Sequence, residues 1–488
     1  QRVASAYLIR SNRTAGLFEP TTEPARATVP PTPDLAEMIG DYQGREQIAE
    51  GEAFDTAPAA IEARISRAEL KSGIKTALLP KKTRGETVNL RLTLRYGNLD
   101  ALKGKAVAGE YLPAMMLRGT ESMTRQDIND AFDRYRAKVS FSGDPGTVTV
   151  SLQTLRGNLL PVLEIVRDAL RHPVFPEDEL ELLKEAQLAS AEQRLTDPTA
   201  IASNVVQKKI SVYEPDDPRY IAGLSEEIER IRSVSAEQIR SLYRELLNSS
   251  NGEMSIVGDF DPQEVQPVLE SIAADWTSNV SYERIAKIPV NNERGDFETI
   301  NTPDKANATY FAAMTLPLKD DHPDNPALTL GNHILGGGAL SSRLGNRVRQ
   351  DEGLSYTVQS AFQASSVDER SVFYIFAICN PGNADKLKTV IREELDRLLK
   401  DGITEEELQE QKAGLLQSLE LQRTRDNSLA SLLGSHLQTG RTMQYSADYE
   451  DRLRALTVED VNTALRKHIA PDRLYVVIAG DLNAAKGE

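Results

Sequence analysis

The sequence predicts an α+β fold made of two duplicated domains, each a mainly antiparallel sheet packed with helices. Segments 88–96 and 147–155 alternate apolar and polar residues, the pattern of half-buried antiparallel strands. Segment 159–170 instead repeats its apolar residues with the period of an amphipathic helix. The order of strands and helices in the first part of the chain then recurs in the second part. Antiparallel strands with helices on one face define the α+β class.

The recurrence has a nearly constant offset. The helix start at 235–239 returns at 457–461, and the strand end at 255–260 returns at 477–482, both 222 residues later. Segment 179–184 has its counterpart 228 residues later, so a short insertion or deletion separates the two copies. A repeat of this length excludes a solenoid and indicates duplicated domains.

The duplication predicts a first domain at 61–278 and a second at 291–488. Residues 25–60 begin with closely spaced prolines, which are typical of an extended linker. We interpret residues 1–24 as the orphan terminal hairpin of a preceding domain. Its first strand is predicted at 3–9 and needs a sheet to dock on, because two strands alone are only marginally stable. Together with the start at Gln, this favours a product of cutting or splitting.

Composition excludes several function classes. Hydrophobic residues make up 40% and charged residues 27% of the 488-residue chain, as in ordinary folded proteins. The formal net charge of −16 disfavours nucleic acid and anionic membrane surfaces as partners. No apolar run approaches the ~20 residues that cross a bilayer. The only cysteine, Cys379, follows an apolar strand-like run and is predicted to be buried.

One stretch carries polar chemistry that packing alone does not require. Gly336, Gly337 and Gly338 follow an apolar helix-like run, and glycines let backbone N–H groups approach a ligand or another backbone closely. Arg349 and Tyr356 follow, and both side chains can donate hydrogen bonds to a peptide carbonyl or a developing oxyanion. The alternative is a helix that ends in glycine and an Arg that pairs with a surface carboxylate.

These residues resemble those of the pitrilysin/insulinase-like metallopeptidases, the inverted-zincin family. The resemblance covers roughly residues 61–488. It implies one half of a clamshell, since proteins of this family have four such domains, two in each half, that close over an unfolded peptide. The segments that carry it are 115–120, 335–338, 342–344, Arg349 with 354–356, and the two Gly-Asp strand endings.

The zinc motif of that family is missing here. Its catalytic half carries H-x-x-E-H on a helix, with two His as ligands and the Glu as general base. The equivalent positions 110–114, counted back from Gly119, are Glu-Tyr-Leu-Pro-Ala, and Pro113 is expected to disturb the helix. The neighbourhood of the third ligand, 188–190, contains no carboxylate. We therefore predict no metal in this chain.

The histidines offer no local alternative, because no two are close enough in sequence to ligate as a pair. We interpret His172 and His322 as turn residues, His333 as a satisfied core residue, and His436 and His468 as helix-surface residues. No nucleophile elbow, Cys–His pair or phosphate-binding loop is present in the sequence. An independent enzyme of another type would need catalytic residues that the sequence lacks.

The resemblance implies the non-metal-binding half of a two-half zinc metallopeptidase that encloses unfolded peptides. Arg349 and Tyr356 are expected to be catalytic residues that reach a zinc site on a partner chain, and Gly336, Gly337 and Gly338 to contact substrate. The zinc cofactor is expected in that partner, either a separate catalytic chain or the N-terminal half of a processed precursor. The family favours a periplasmic location, with the cytoplasm as the alternative. The alternative function is an inactive scaffold or substrate-binding subunit of a larger assembly.

Overall fold

The computed structural model describes residues 2–14, 16–17, 50–290, 293–338 and 341–483. Residues 1–48 form a unit of their own. In it, Arg2–Tyr7 is a short helix, α1, followed by a 3-10 turn at Arg10–Asn12. The strand predicted at 3–9 is therefore wrong. Helical hydrogen bonds such as Leu8 N–H to the Ala4 carbonyl, 2.8 Å, close within the segment, whereas a strand needs a neighbour. The proline-rich linker lies outside the described residues up to position 49.

The rest of the chain, 49–488, forms one compact unit with two sheets packed with helices. The first sheet has the strand order β1-β2-β6-β3-β5-β4 and the second β7-β11-β8-β10-β9. The strands are β1 (Ser66–Glu69), β2 (Lys75–Pro80), β3 (Thr87–Arg95), β4 (Lys138–Ser142), β5 (Thr147–Leu155), β6 (Gly252–Gly258), β7 (Phe297–Asn301), β8 (Ala308–Leu316), β9 (Ser355–Gln363), β10 (Ser371–Cys379) and β11 (Tyr475–Gly480).

The helices of this unit lie on the sheets and between them. They are α2 (Pro58–Glu62), α3 (Leu99–Leu102), α4 (Ala106–Met116), α5 (Arg125–Arg134), α6 (Leu159–Arg171), α7 (Glu177–Arg194), α8 (Pro198–Lys209), α9 (Leu224–Ser233), α10 (Ala236–Leu246), α11 (Pro262–Ala273), α12 (Asn325–Asn332), α13 (Ala384–Asp401), α14 (Glu405–Thr424), α15 (Asp426–Thr439), α16 (Met443–Ala455) and α17 (Val458–His468).

The α+β fold class and the duplication are confirmed, because the two sheets share one topology apart from β1, an additional outer strand of the first sheet. β2 pairs parallel with β6, as β7 does with β11, and every other ladder in both sheets is antiparallel. The repeated helix starts are capping boxes in both copies: Ser235 with Gln238 begins α10, and Thr457 with Asp460 begins α17. Local sequence thus specifies the same helix boundary twice.

Each copy also packs one helix on the sheet of the other copy. α15 of the second copy covers β2, β3 and β6 of the first sheet, where Leu429, Leu433 and Leu437 join a shared apolar cluster with Leu79 and Val257. In return, α8 of the first copy covers β8 and β11 of the second sheet through a second shared cluster. This exchange explains why 49–488 is one unit.

One local prediction fails in the first copy, and one short strand there was not predicted. The helix α5 ends at Arg134, and the unpredicted strand β4 begins at Lys138. Arg136 takes a positive φ of 49° between the two elements, which breaks helical geometry. Pro113 does not interrupt α4, which runs through it. Pro113 lies three residues from the helix end, so its missing N–H removes a single bond in the last turn.

Candidate functional site

The position of the family's zinc motif is a polar pocket between α4 and α7. The pocket has a volume of about 480 Å³, and Glu110, Tyr111, Gln187 and Ser190 are among its lining residues. Tyr111 is only 3% exposed, and its hydroxyl has no hydrogen-bond partner within the described ranges. Burial is the main reason that the pKa of Tyr111 is raised. None of the described residues that line this pocket is a histidine.

Arginine side chains line the same pocket. Arg194 donates to both carboxylate oxygens of Glu227 at 2.8 and 3.0 Å, and the guanidinium of Arg230 lies 4.0 Å from Glu110. Burial raises the pKa of Glu110, partly offset by Arg230. Two fixed guanidinium groups and a carboxylate with a raised pKa disfavour a bound cation. The residues present therefore do not fit the zinc ion of the family.

A second pocket, of about 490 Å³, brings the predicted site residues together. Arg349, Tyr356, Gly336 and Gly337 all line it, together with His333. The helix α12 continues into a π-helical segment at 333–337, a second π-helix at 345–351 carries Arg349, and Tyr356 follows at the start of β9. Single-turn π-helices are frequent at functional sites. We call this the Arg349–Tyr356 pocket.

The two donors of this pocket point into open space. Tyr356 is 94% exposed and Arg349 is exposed as well. Neither side chain makes a hydrogen bond or ion pair with another residue of the described segments. Nearby Arg347 instead contacts Glu352 at 2.6 Å and Glu393 at 3.5 Å. The alternative interpretation, an arginine that pairs with a surface carboxylate, therefore describes Arg347 and not Arg349.

Arg343 anchors the segment between the two π-helices. It is nearly buried and donates through two nitrogens to Glu407, each at 2.7 Å, and also to the carbonyl of Gly402 at 2.8 Å. Such bidentate pairs add both energy and fixed geometry. Burial alone would raise the pKa of Glu407, but the hydrogen bonds from Arg343 and Thr404 outweigh it and lower that pKa. Arg343 is therefore a fixed support beneath the pocket.

Close packing accounts for two of the three glycines, Gly336 and Gly338. A Cβ on Gly336 would lie 2.5 Å from the backbone nitrogen of Ser360 in β9, and a Cβ on Gly338 would lie 2.8 Å from Oε1 of Gln411. Gly336 is buried, whereas Gly337 is exposed at the pocket. Steric crowding thus gives a direct reason for glycines at the end of this helix. Contact of the glycines with substrate stays a prediction, and exposed Gly337 is the glycine that suits it best.

The predictions for single side chains have mixed outcomes. Cys379 is buried as expected, and burial raises the pKa of its thiol to about 11. His333 is satisfied, since its Nδ1 lies 2.7 Å from Oε1 of Gln411. The prediction for His436 is wrong, because this residue of α15 is buried, with only 4% exposed. Sequence reasoning also missed that His322 and His468 come together in space.

Comparisons with known proteins agree with this architecture. The family model described as "Peptidase M16 inactive domain" matches residues 233–415. The uncharacterized zinc protease YmxG of Bacillus subtilis is 26% identical over 382 residues, which are 76% of this chain and 87% of that protein. A peptidase M16 inactive domain from Pseudomonas fluorescens superposes with a TM-score of 0.74 at 22% identity, covering 85% of this chain and 97% of that one.

A larger protein shows the same fold in only part of its length. The periplasmic protease PqqL from Escherichia coli superposes with a TM-score of 0.67 at 17% identity, over 96% of this chain but 49% of that protein. The predicted resemblance to pitrilysin/insulinase-like metallopeptidases is confirmed by these matches. The chain thus resembles the M16 peptidases, and its residues 233–415 match the model of their inactive domain.

Proposed function

We propose that this chain is the non-metal-binding half of a two-half zinc metallopeptidase that cleaves unfolded peptides. The Arg349–Tyr356 pocket carries the proposal, because it holds two hydrogen-bond donors without a partner in the described residues. The pocket at Glu110 has no groups that fit zinc, so the metal must come from a second chain or from the other half of a precursor. This chain alone is then inactive.

The chemistry of the two donors suits a reacting peptide carbonyl. A guanidinium presents a fork of charged N–H groups and a phenol presents one O–H group. When the peptide bond is attacked, its oxygen gains negative charge, and donors already aimed at that position stabilise the transition state. Exposed side chains can meet a substrate held between two halves. Arg349 and Tyr356 are therefore proposed to orient the scissile carbonyl and to bind its oxyanion.

The surroundings of the two donors suit an extended peptide. β9 is the last strand of its sheet, and it begins next to Tyr356. An outer strand presents backbone groups with which an extended chain can pair. The exposed backbone of Gly337 lies in the same pocket. We propose that substrate lies along this pocket and contacts the glycine segment.

The domains and location follow the same proposal. Residues 61–278 and 291–488 would form the two domains of one clamshell half. The periplasm is the proposed location, supported by the description of PqqL as a periplasmic protease. No helix in the described ranges has the length and apolar character to cross a membrane.

Kinetics of the assembled enzyme test the two donors. Tyr356→Phe and Arg349→Gln are each expected to lower kcat by about 10²–10³, because each removes one donor from the oxyanion. Neither change should alter assembly. Arg347→Gln is the matched control, since it removes a guanidinium two residues away that already pairs with Glu352. Full activity of both site variants would contradict the proposed role and favour the scaffold function.

A further inference from the structure

Two neighbouring side chains and one from a distant part of the sequence converge at the opposite end of α12 from the Arg349–Tyr356 pocket. His322, Asp324 and His468 each offer one ligand atom, and these atoms lie within 4.8 Å of one another. Nε2 of His468 is 2.7 Å and Nδ1 of His322 is 3.9 Å from the same oxygen, Oδ2 of Asp324. The two imidazole rings meet edge to face with centroids 5.4 Å apart.

Rigid elements hold these groups. Asp324 directly precedes α12, and His468 is the last residue of α17. The two helices pack so tightly that a Cβ on Gly331 would lie 2.8 Å from the side chain of Leu465. The backbone N–H of Asp324 also donates to Nδ1 of His322 at 3.0 Å. The side chains of His322, Asp324 and His468 are 31%, 27% and 13% exposed, so an ion could still enter.

The spacing is near that of a metal site. Zinc binds His nitrogen at ~2.0–2.1 Å and carboxylate oxygen at ~2.0–2.2 Å, which places tetrahedral ligand atoms about 3.4 Å apart. The distances of 2.7 and 3.9 Å to Oδ2 lie on either side of that value. Small side-chain rotations would therefore equalise them. The ammonium group of Lys467 also contacts Oδ2 of Asp324 at 2.8 Å and would compete with a bound cation.

We propose that His322, Asp324 and His468 bind a divalent transition metal ion, with zinc as the best fit, as a structural clamp between α12 and α17. Two imidazoles and one carboxylate suit zinc, and water would complete the coordination. For His468 to bind the ion through Nε2, the hydrogen on that nitrogen moves to Nδ1 of the same ring. At His322, the ion takes the place of the backbone N–H of Asp324, which otherwise donates to Nδ1. The ion would steady the helix that leads into the Arg349–Tyr356 pocket. It takes no part in peptide cleavage, so the clamp is independent of the proposed function.

Calorimetric titration of the full chain with Zn²⁺, without any partner, tests the clamp. One ion per chain is expected, and Co²⁺ should give the visible absorption bands of a low-symmetry site. His322→Ala and His468→Ala should each weaken Zn²⁺ binding by more than about tenfold. Even the loss of a residue that only hydrogen-bonds to a metal ligand lowers metal affinity by about 10–100-fold. Circular dichroism would verify that both variants fold.

Two further variants separate the clamp from ordinary surface binding. His172→Ala should leave binding unchanged, because His172 pairs with Asp168 at 3.0 Å but belongs to no three-ligand group of the described residues. Lys467→Met should preserve or tighten binding, because it removes the competing cation. Absence of binding to the folded chain, or binding that neither His322→Ala nor His468→Ala weakens, would overturn the proposal.

Discussion

The hydroxyl of Ser255, on β6 of the first sheet, donates a hydrogen bond of 2.7 Å to the backbone carbonyl of Ala430, on α15 of the second copy. Both residues are buried. The bond fixes a helix of one copy on the sheet of the other, 175 residues apart in sequence. An equivalent contact joins Thr199 on α8 to Thr309 on β8 at 2.9 Å. The two copies are therefore expected to unfold together.

The exchange of helices can be tested with a cavity under α15. Leu433 is buried in the cluster shared with the first sheet, so Leu433→Ala should lower the free energy of unfolding by about 2–5 kcal/mol. Denaturant unfolding followed by fluorescence of Trp276, in the first copy, and by circular dichroism should still give one coincident transition. Two separate transitions would contradict the interlocked structure.

Glycine substitutions test the packing beneath the Arg349–Tyr356 pocket. Gly336→Ala should destabilise the protein by about 1–3 kcal/mol, because the new methyl group meets the backbone of Ser360. Gly414→Ala is the control, since Gly414 lies inside α14 with open space around it. That change should stabilise the helix by roughly 0.5–1 kcal/mol. Equal effects in thermal unfolding would show that Gly336 is not sterically required.

Arg343 should matter more than an ordinary surface arginine. Arg343→Met leaves Glu407 without its bidentate partner and removes a cation 3.9 Å from Glu394, which is 2% exposed. We expect a loss of about 3–5 kcal/mol, the usual effect of breaking a buried ion pair.

Arg392→Met removes exposed pairs with Asp396 and Asp472 and should change stability by under about 1 kcal/mol. Urea denaturation of both variants makes the comparison. Similar losses would mean that the bidentate pair of Arg343 contributes little.

Buried His436 predicts a loss of stability in mild acid. Burial is the main reason that the pKa of His436 is lowered to about 4. The cations Arg441 and Arg67 lower this pKa further, whereas the carboxylates of Glu62 and Asp320 partly oppose them. The unfolded chain therefore binds a proton near the ordinary pKa of about 6.5, whereas the folded chain does not until about pH 4. The stabilising contribution is complete above about pH 6.5 and declines as the pH falls to about 4.

His436→Phe should remove this pH dependence. The loss in the wild type between these pH values should reach about 3 kcal/mol, from about 1.4 kcal/mol for each unit of pKa difference. The free energy of unfolding of both proteins would be measured at half-unit steps from pH 7 to pH 4. Parallel curves would show that His436 is not responsible.

Local patterns predicted most of the regular structure. The strand β5 has the predicted bounds 147–155, because its alternation of apolar and polar residues is strong. The strand β4 was missed because it is short and mostly exposed. The exchange of α8 and α15 was beyond local reasoning, since the apolar face of a helix does not specify which of two similar sheets it covers.

For the candidate site, too, the sequence predicted what is local and missed what depends on tertiary packing. Arg349 and Tyr356 stand seven residues apart and could be recognised as a local motif. His322 and His468 are separated by 146 positions, so only the tertiary packing of α12 against α17 brings them together. The burial of His436 depends in the same way on which sheet α15 covers.

Native mass spectrometry of the complex purified from its source tests the central claim most directly. We predict that this chain occurs with a second chain or precursor half of similar size, that this second subunit carries a zinc ion of its own in addition to any ion held by His322, Asp324 and His468 of this chain, and that a chelator abolishes the peptidase activity of the complex. A chain that is isolated alone or paired only with itself, without chelator-sensitive peptidase activity, would contradict the account.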